Sequence, residues 1–147
     1  MSRSLVLVLA LAPIVATACA SSEAAPTAKT QSASSTGDAQ AACVEMMTRN
    51  RTCTDDFIPA LVDARARHDK PAGIAESVKT DRAAVIAKAN AEWAEDSKDE
   101  AIARTCQAMT EHATSAEVDG VRACLAKESC GDYVACTTPM FEARMTK

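Results

Sequence analysis

From residue 41 to the end of the chain, the apolar positions follow the period of an α-helix. Cys43, Met46 and Asn50 are separated by three and four residues, which predicts a first helix from about 40 to 51. The sequence contains no alternating run of β-branched residues bounded by turn residues, so strands are not expected. The pattern predicts an all-α fold.

The second and third helices are indicated by their start and stop signals. Thr54-Asp55-Asp56 supplies acidic caps to a second helix, which fades by His68 before a turn at 69–73. A long third helix follows, and Thr80-Asp81 is expected to break or restart it. The apolar face of this helix consists of Ile74, Val78, Val85, Ile86, Ala89 and Trp93.

Two capping boxes mark the fourth and fifth helices. They lie at 97–100 and 114–117, where a Ser or Thr is followed three residues later by Glu. A turn at 128–132 then precedes a last short helix, which begins at Tyr133 and is expected to be interrupted by Pro139.

Composition limits the core that these helices can form. Apolar residues make up 48% of the chain, but 32 of them are Ala, and four of the six Leu lie in the first eleven residues. A helical domain with so few large side chains needs additional support, and the chain has seven Cys. We therefore predict a small Ala-rich helical bundle stapled by disulfides.

The N-terminus has a different pattern from the rest of the chain. Arg3 precedes an apolar run from Leu5 to Ala16, and small residues follow the run, as in a secretory signal peptide. The run is too short to span a bilayer, which takes ~20 apolar residues. We predict a signal peptide at 1–18.

Cys19 indicates which kind of signal peptide this leader is. The segment Ala16-Thr17-Ala18-Cys19 resembles the lipobox of bacterial lipoproteins, in which the cysteine is lipidated and becomes the new N-terminus. The resemblance covers only residues 1–19, and Ala16 stands where the family usually has a branched aliphatic residue. It implies lipidation of Cys19, and secretion after cleavage at Ala18 is the alternative. Without Cys19 the chain has six Cys, an even number that can pair.

The segment after Cys19 has the composition of a linker. Residues 20–40 contain no Leu, Ile, Val or aromatic residue and cannot bury enough apolar surface to offset the entropy of ordering. We predict a disordered tether with a typical reach of ~25 Å. The predicted organisation is a signal peptide at 1–18, a lipidated Cys and tether at 19–40, and a disulfide-stapled helical domain at 41–147.

The six remaining Cys are expected to form three disulfides, because an exported protein enters an oxidising compartment. Zinc is the alternative, but the C-x2-C and C-x4-C spacings typical of zinc sites are absent. Two of the Cys lie nine residues either side of Ser115, the turn of a predicted antiparallel hairpin, and this favours their pairing. The three expected pairs are Cys106–Cys124, Cys43–Cys136 and Cys53–Cys130.

Charge and motif content restrict the function classes. The net charge is −4, whereas a nucleic-acid-binding domain needs a basic surface, so nucleic acid is not an expected partner. Neither His68 nor His112 lies beside a nucleophile motif, and the four Gly form no phosphate-binding loop. We expect no catalytic residue, no enzyme activity, no cofactor and no resident metal.

Three minor patterns have ordinary structural explanations. A basic cluster at 65–70 is explained by a solvated helix C-terminus, and Asn50-Arg51-Thr52 matches a glycosylation sequon at a helix end. Soft donors that suit copper(I) also occur, although Met is a common filler of irregular cores. These donors are Met46, Met47, Met109 and His112.

Together these patterns predict an exported protein of the bacterial cell envelope. We expect it to be lipid-anchored to a membrane, the outer membrane being favoured, and to face the periplasm or the cell surface. The leading function is a non-enzymatic binding or structural module, with the membrane and an envelope protein as partners. A periplasmic copper-handling or chaperone-like protein is the alternative, and it rests on analogy alone.

Overall fold

A computed structural model of the protein describes residues 36–111 and 113–146. The predicted signal peptide, Cys19 and most of the predicted tether lie outside the described residues, and so does His112. The described residues contain helices and turns but no strand, which confirms the all-α prediction.

Six helices make up most of the described chain, joined by short turns. Their bounds are α1 Thr36–Thr52, α2 Thr54–His68, α3 Ile74–Asp96, α4 Asp99–Met109, α5 Ser115–Leu125 and α6 Cys130–Met145. α1 begins before its predicted start near residue 40, so it overlaps the predicted tether at 36–40. No helix of the described ranges combines the length and the apolarity that crossing a bilayer requires.

α1 and α2 are the two helices on which the others pack. α4 and α5 contact α1, and α3 and α6 contact α2. The small side chains at the start of α1 allow close packing of Val118 and Val121 from α5. The buried residues of α1 follow the helical period on one face, and they are Ala39, Ala42, Cys43, Met46 and Asn50.

α2 and α3 form an antiparallel pair joined by the turn at 69–73. The Asp69 carboxylate accepts a hydrogen bond from the Gly73 N–H (2.9 Å), and Gly73 has a φ of 87°, which favours glycine. Asp81 interrupts the helical geometry of α3, and its carboxylate accepts from the Ala84 N–H, so the helix restarts there as predicted. No residue of α3 is fully buried, so this helix covers α2 from outside.

The helices run between two ends of the bundle, which we name by their residues. The proximal end, where α1 begins, comprises residues 36–42, 65–74, 109–111, 113–118 and 140–146. The distal end comprises residues 50–54, 93–99 and 125–133. At the distal end the Trp93 indole donates to Thr54 Oγ1 (3.1 Å), and Arg51 donates to the Ser97 carbonyl (2.8 Å).

Three disulfides hold the helices together. They are Cys43–Cys106, Cys53–Cys130 and Cys124–Cys136, with Cα separations of 5.6, 5.3 and 5.5 Å. The second of these is one of the predicted pairs. The other two predicted pairs are wrong, namely Cys106–Cys124 and Cys43–Cys136.

Both errors have one cause, which is the position of α1. Because α4 and α5 are neighbours in sequence, the pattern suggested that they form an antiparallel hairpin. In the structure both helices pack against α1, and the buried face of α4, formed by Ile102 and Cys106, meets Cys43. Cys124 then lies at the end of α5, close to Cys136 of α6.

The two predicted capping boxes have different outcomes. The box at the start of α5 is present, with Thr114 Oγ1 accepting from the Glu117 N–H and the Glu117 carboxylate accepting from the Thr114 N–H. The predicted box at 97–100 is wrong, because Ser97 ends α3 and Lys98 is the residue that precedes α4. The Ser97 carbonyl instead accepts from Arg51, which ties this turn to α1.

α6 is longer than predicted, because Pro139 does not interrupt it. The helix begins after Ser129, whose hydroxyl accepts from the Asp132 N–H (3.0 Å). It continues through Pro139 to Met145. Pro139 is exposed, so its ring faces solvent, and the residues around it are held by packing against α2 and α5.

Digestion with trypsin under non-reducing conditions should give two disulfide-linked species. The first joins peptides 30–49 and 105–122 through Cys43–Cys106. The second contains three peptides held by the other two disulfides, 52–65, 123–127 and 128–144. Recovery of 105–122 linked to 123–127 would contradict this connectivity, and mass spectrometry separates the two outcomes.

Shortening the chain should lower its stability only when α1 is cut. A chain beginning at Gln40 lacks Asp38, which pairs with Arg122, and Ala39, which is buried. We expect a loss of ~1–2 kcal/mol relative to a chain beginning at Thr36, from one buried methyl and one ion pair. Thermal unfolding of both chains measures the difference, and equal melting temperatures would show that the first turn of α1 contributes nothing.

Candidate functional site

A trough at the proximal end is the strongest candidate for a binding surface. It lies between the second half of α2, the turn at 69–73 and the end of α6, and it has a volume of about 440 Å³. Apolar side chains and three cations line it. The residues that define the trough are Leu61, Arg65, Lys70, Pro71, Met109, Phe141, Arg144 and Met145.

Helical spacing puts these side chains on facing surfaces of α2 and α6. Leu61 and Arg65 are one turn apart on α2, and Phe141 and Met145 are one turn apart on α6. Arg144 lies next to Met145, so each helix contributes both apolar surface and a cation. The turn after α2 then adds a third cation and a proline to the lining.

The three cations of the trough have no ion-pair partner among the residues that the structure describes. Arg65, Lys70 and Arg144 are exposed, and none forms an ion pair or a side-chain hydrogen bond with another described residue. The lining contains no carboxylate. The described part of the chain therefore leaves three positive charges around one apolar surface.

Arg67 lies on the same helix as Arg65, but its charge is compensated by an ion pair. Its guanidinium lies 2.6 Å from the Glu142 carboxylate and joins α2 to α6. This hydrogen bond lowers the pKa of Glu142, and the nearby His68 acts in the same direction. Arg67 is thus a structural residue, whereas Arg65, two positions earlier, is available to a ligand.

Met109 adds exposed apolar surface to the trough. It is 40% exposed and is the only large apolar residue of the described chain that is exposed to this extent. A single exposed apolar side chain is ordinary on a protein surface, but Met109 is continuous with the apolar lining formed by Leu61, Phe141 and Met145. Met109 also lines a small crevice with Ala39 and Arg144, so the trough adjoins the first turn of α1.

A larger cleft between α2 and α3 is a weaker candidate. It has a volume of about 530 Å³ and shares Arg65 and Pro71 with the trough. Its other charged lining residues are Lys88 and Glu92, which pair with each other at 3.8 Å. Because these charges already compensate one another, the cleft offers less to a charged ligand than the trough does.

The structure places Met47 apart from Met46 and Met109, the other methionines suggested for copper. Met46 is buried against Ala39 and Val118, whereas Met47 packs against the cluster of Cys43 and Ile102. Met46 and Met109 line one crevice, and His112 lies outside the described residues. No group of three or more His, Cys, Asp or Glu within the described ranges is placed to hold a metal ion.

Asn50 belongs to the core and not to a surface sequon. Its side chain is 0% exposed, so it is not accessible for glycosylation. Tyr133, also 0% exposed, places its hydroxyl 2.8 Å from Asn50 Oδ1 and 3.0 Å from the Met46 carbonyl. The Arg49 guanidinium lies 5.8 Å from the centre of the Tyr133 ring.

The sequence contains one signal for this polar cluster. Asn50 falls on the same stripe of α1 as Cys43 and Met46, so a polar side chain occupies a core position. A buried amide needs a polar partner, and the only Tyr of the chain is the residue that supplies it.

Spectrophotometric titration of the single tyrosine should show an elevated pKa. Burial raises the pKa of Tyr133 to about 12, and the charge of Arg49 opposes this only in part. Folding therefore favours the neutral phenol, so its contribution to stability is complete below pH ~10 and is lost as the pH rises towards the folded-state value. A rapid pH jump, read at the phenolate band before alkali attacks the disulfides, measures the midpoint.

The unfolded chain provides the control for this titration. In denaturant the phenol should ionise near pH ~10, its ordinary value in peptides. A native midpoint close to that of the unfolded chain would mean that water reaches the Tyr133 hydroxyl.

Of these features, the trough is open to a ligand and carries uncompensated charge, whereas the Tyr133 cluster is closed. The trough is therefore the surface of the described chain best suited to binding. No protein-family model, no curated protein and no solved structure matches this chain.

Proposed function

We propose that the protein is an exported, lipid-anchored binding module of the bacterial cell envelope that performs no catalysis itself. Cys19 is the lipidated residue in this proposal, and the helical bundle is displayed from a membrane, the outer membrane being the favoured one. The bundle faces the periplasm or the cell surface, and the trough is its binding surface.

The pairing of the cysteines is the observation that supports this proposal most directly. All six Cys of the described chain are joined in disulfides, so Cys19 is the one cysteine of the sequence outside these pairs. Disulfides of this number are typical of proteins that have left the cytoplasm. Lipidation converts the remaining thiol to a thioether, which removes a reactive group from an oxidising compartment.

The proposal of a binding role comes from the trough. Its uncompensated cations and exposed Met109 suit a ligand that combines negative charge with apolar surface. A catalytic role would need a nucleophile or a general base positioned beside the ligand. The lining offers thioethers, guanidinium groups and an ammonium group, none of which acts readily as a base at neutral pH.

Replacement of Cys19 by Ser should remove the lipid anchor. We expect Cys19→Ser either to leave the membrane fraction or to retain its signal peptide, because the lipidated thiol is the substrate for processing. Labelling of cells with a radioactive or clickable fatty acid, followed by fractionation, measures both effects. The wild-type protein should carry the label and Cys19→Ser should not.

A neighbouring substitution controls for effects of the leader on export. Ser21→Ala leaves Cys19 in place and should be labelled, cleaved and fractionated as the wild type. If Cys19→Ser is cleaved normally and still sediments with membranes, Cys19 is not the anchor and the proposed function is wrong.

A further inference from the structure

We propose that the proximal end of the bundle rests on an anionic phospholipid surface, with the trough as the contact face. The cations of the trough would meet lipid phosphates, and its apolar side chains would enter the headgroup region. This proposal rests on the lipid anchor described above and names the membrane itself as the ligand of the trough.

The position of the trough relative to the start of α1 is the first reason. Ala39 of α1 lines a crevice together with Met109 and Arg144, which also line the trough. The chain therefore enters the bundle at the end where the trough lies. Any segment that leads from a membrane anchor to α1 arrives at this end.

The length of that segment brings the trough close to the bilayer. Cys19 and Thr36 are 17 positions apart, and a flexible linker of this length has a typical end-to-end distance of roughly 20–25 Å. A short linker holds its two ends at an effective concentration in the millimolar range. A weak interaction between trough and membrane is then sufficient to orient the bundle.

Charge complementarity is the second reason. The chain as a whole has a net charge of −4, so an anionic membrane repels it unless positive charge is concentrated on one face. Arg65, Lys70 and Arg144 provide that concentration, with no carboxylate in the trough lining. Two exposed carboxylates close in sequence to the trough lining have no ion pair among the described residues. Asp69, adjacent to Lys70, accepts from the Gly73 and Ala75 N–H groups, and Glu111 lies two residues beyond Met109.

The apolar side chains of the trough fit a bilayer better than a small soluble anion. Phe141, Met145 and Leu61 are partly buried, and Met109 is the exposed member of the group. Phosphate alone would use the cations and leave this surface in water. A phospholipid surface offers phosphates and adjacent acyl chains together, which matches both parts of the trough.

Vesicles that differ in charge test the orientation in the complete lipidated protein. The protein is reconstituted in vesicles of phosphatidylcholine alone or of phosphatidylcholine with phosphatidylglycerol. Lysines are then labelled with a membrane-impermeant acylating reagent. Lys70 should react about fivefold more slowly on the anionic vesicles, the effect expected of one cation held at the surface, whereas Lys98 at the distal end should be unaffected.

Two double variants distinguish binding by the trough from a general effect of net charge, because both lose the same number of positive charges. Arg65→Gln with Arg144→Gln removes two cations of the trough, and Arg104→Gln with Lys127→Gln removes two exposed cations outside it. All four residues are exposed and form no ion pair with another described residue, so both variants should fold. The first variant should lose the protection of Lys70, and the second should keep it.

Salt provides a further check, because high ionic strength screens attraction between exposed charges. Protection of Lys70 in the wild type should therefore fall in concentrated sodium chloride. Equal reactivity of Lys70 on both kinds of vesicle, or equal behaviour of the two variants, would overturn the proposal.

Flotation on a density gradient distinguishes failure of the proposed contact face from failure of the lipid anchor. A lipidated protein floats with zwitterionic and anionic vesicles alike, whatever its orientation. If the protein does not float with zwitterionic vesicles, the anchor is absent and the proposed orientation fails with it. If it floats with both but Lys70 is never protected, the anchor stands and the contact face is wrong.

Discussion

The covalent attachment of α1 to the rest of the bundle is the constraint on which the fold depends. Cys43–Cys106 joins α1 to α4, and Cys53–Cys130 joins the α1–α2 junction to α6, across sequence separations of 63 and 77 residues. In the chain-entropy model, each link of this length destabilises the unfolded state by about 4 kcal/mol. α1 contributes mainly Ala and Met to the core, so apolar burial alone gives it less stability than a Leu-rich helix would have.

The distribution of disulfides also sets how stability varies along the chain. α3 contains no Cys, has no fully buried residue and changes direction at Asp81. It packs mainly on α2, and its anchoring contact is Trp93, whose ring lies 5.2 Å from that of Phe57. Elements with few buried contacts open at lower free energy than the core. The cleft between α2 and α3 therefore has one wall, α3, that is expected to open at lower free energy than the core, whereas the trough is built on cross-linked α6.

The helix positions could be predicted from the sequence because they depend on local signals. The second helix, the restart of α3 at Asp81 and the Thr114–Glu117 capping box all follow from residues within a few positions of one another. The helix partners could not be predicted, since α4 and α5 meet α1 instead of each other. The predictions of Cys106–Cys124 and Cys43–Cys136 were wrong for that reason.

The candidate site could likewise be predicted only where it depends on residues close together in sequence. A basic cluster at 65–70 was visible in the sequence, but nothing there distinguishes Arg67, which pairs with Glu142, from Arg65, which does not. That difference depends on α6, which is more than 60 residues later in the chain. Arg144 and Met109 could not be added to the cluster without knowing which helix ends meet.

The position of Cys43 has a mechanical consequence for a chain held by its N-terminus. Cys43 is the eighth residue of α1, and its disulfide to Cys106 crosses directly to α4. A force applied at Thr36 can unwind the first two turns of α1, but it then meets a covalent bond. Beyond that bond the load is shared by two helices, so the Tyr133–Asn50 cluster at the distal end is shielded from tension applied at Thr36.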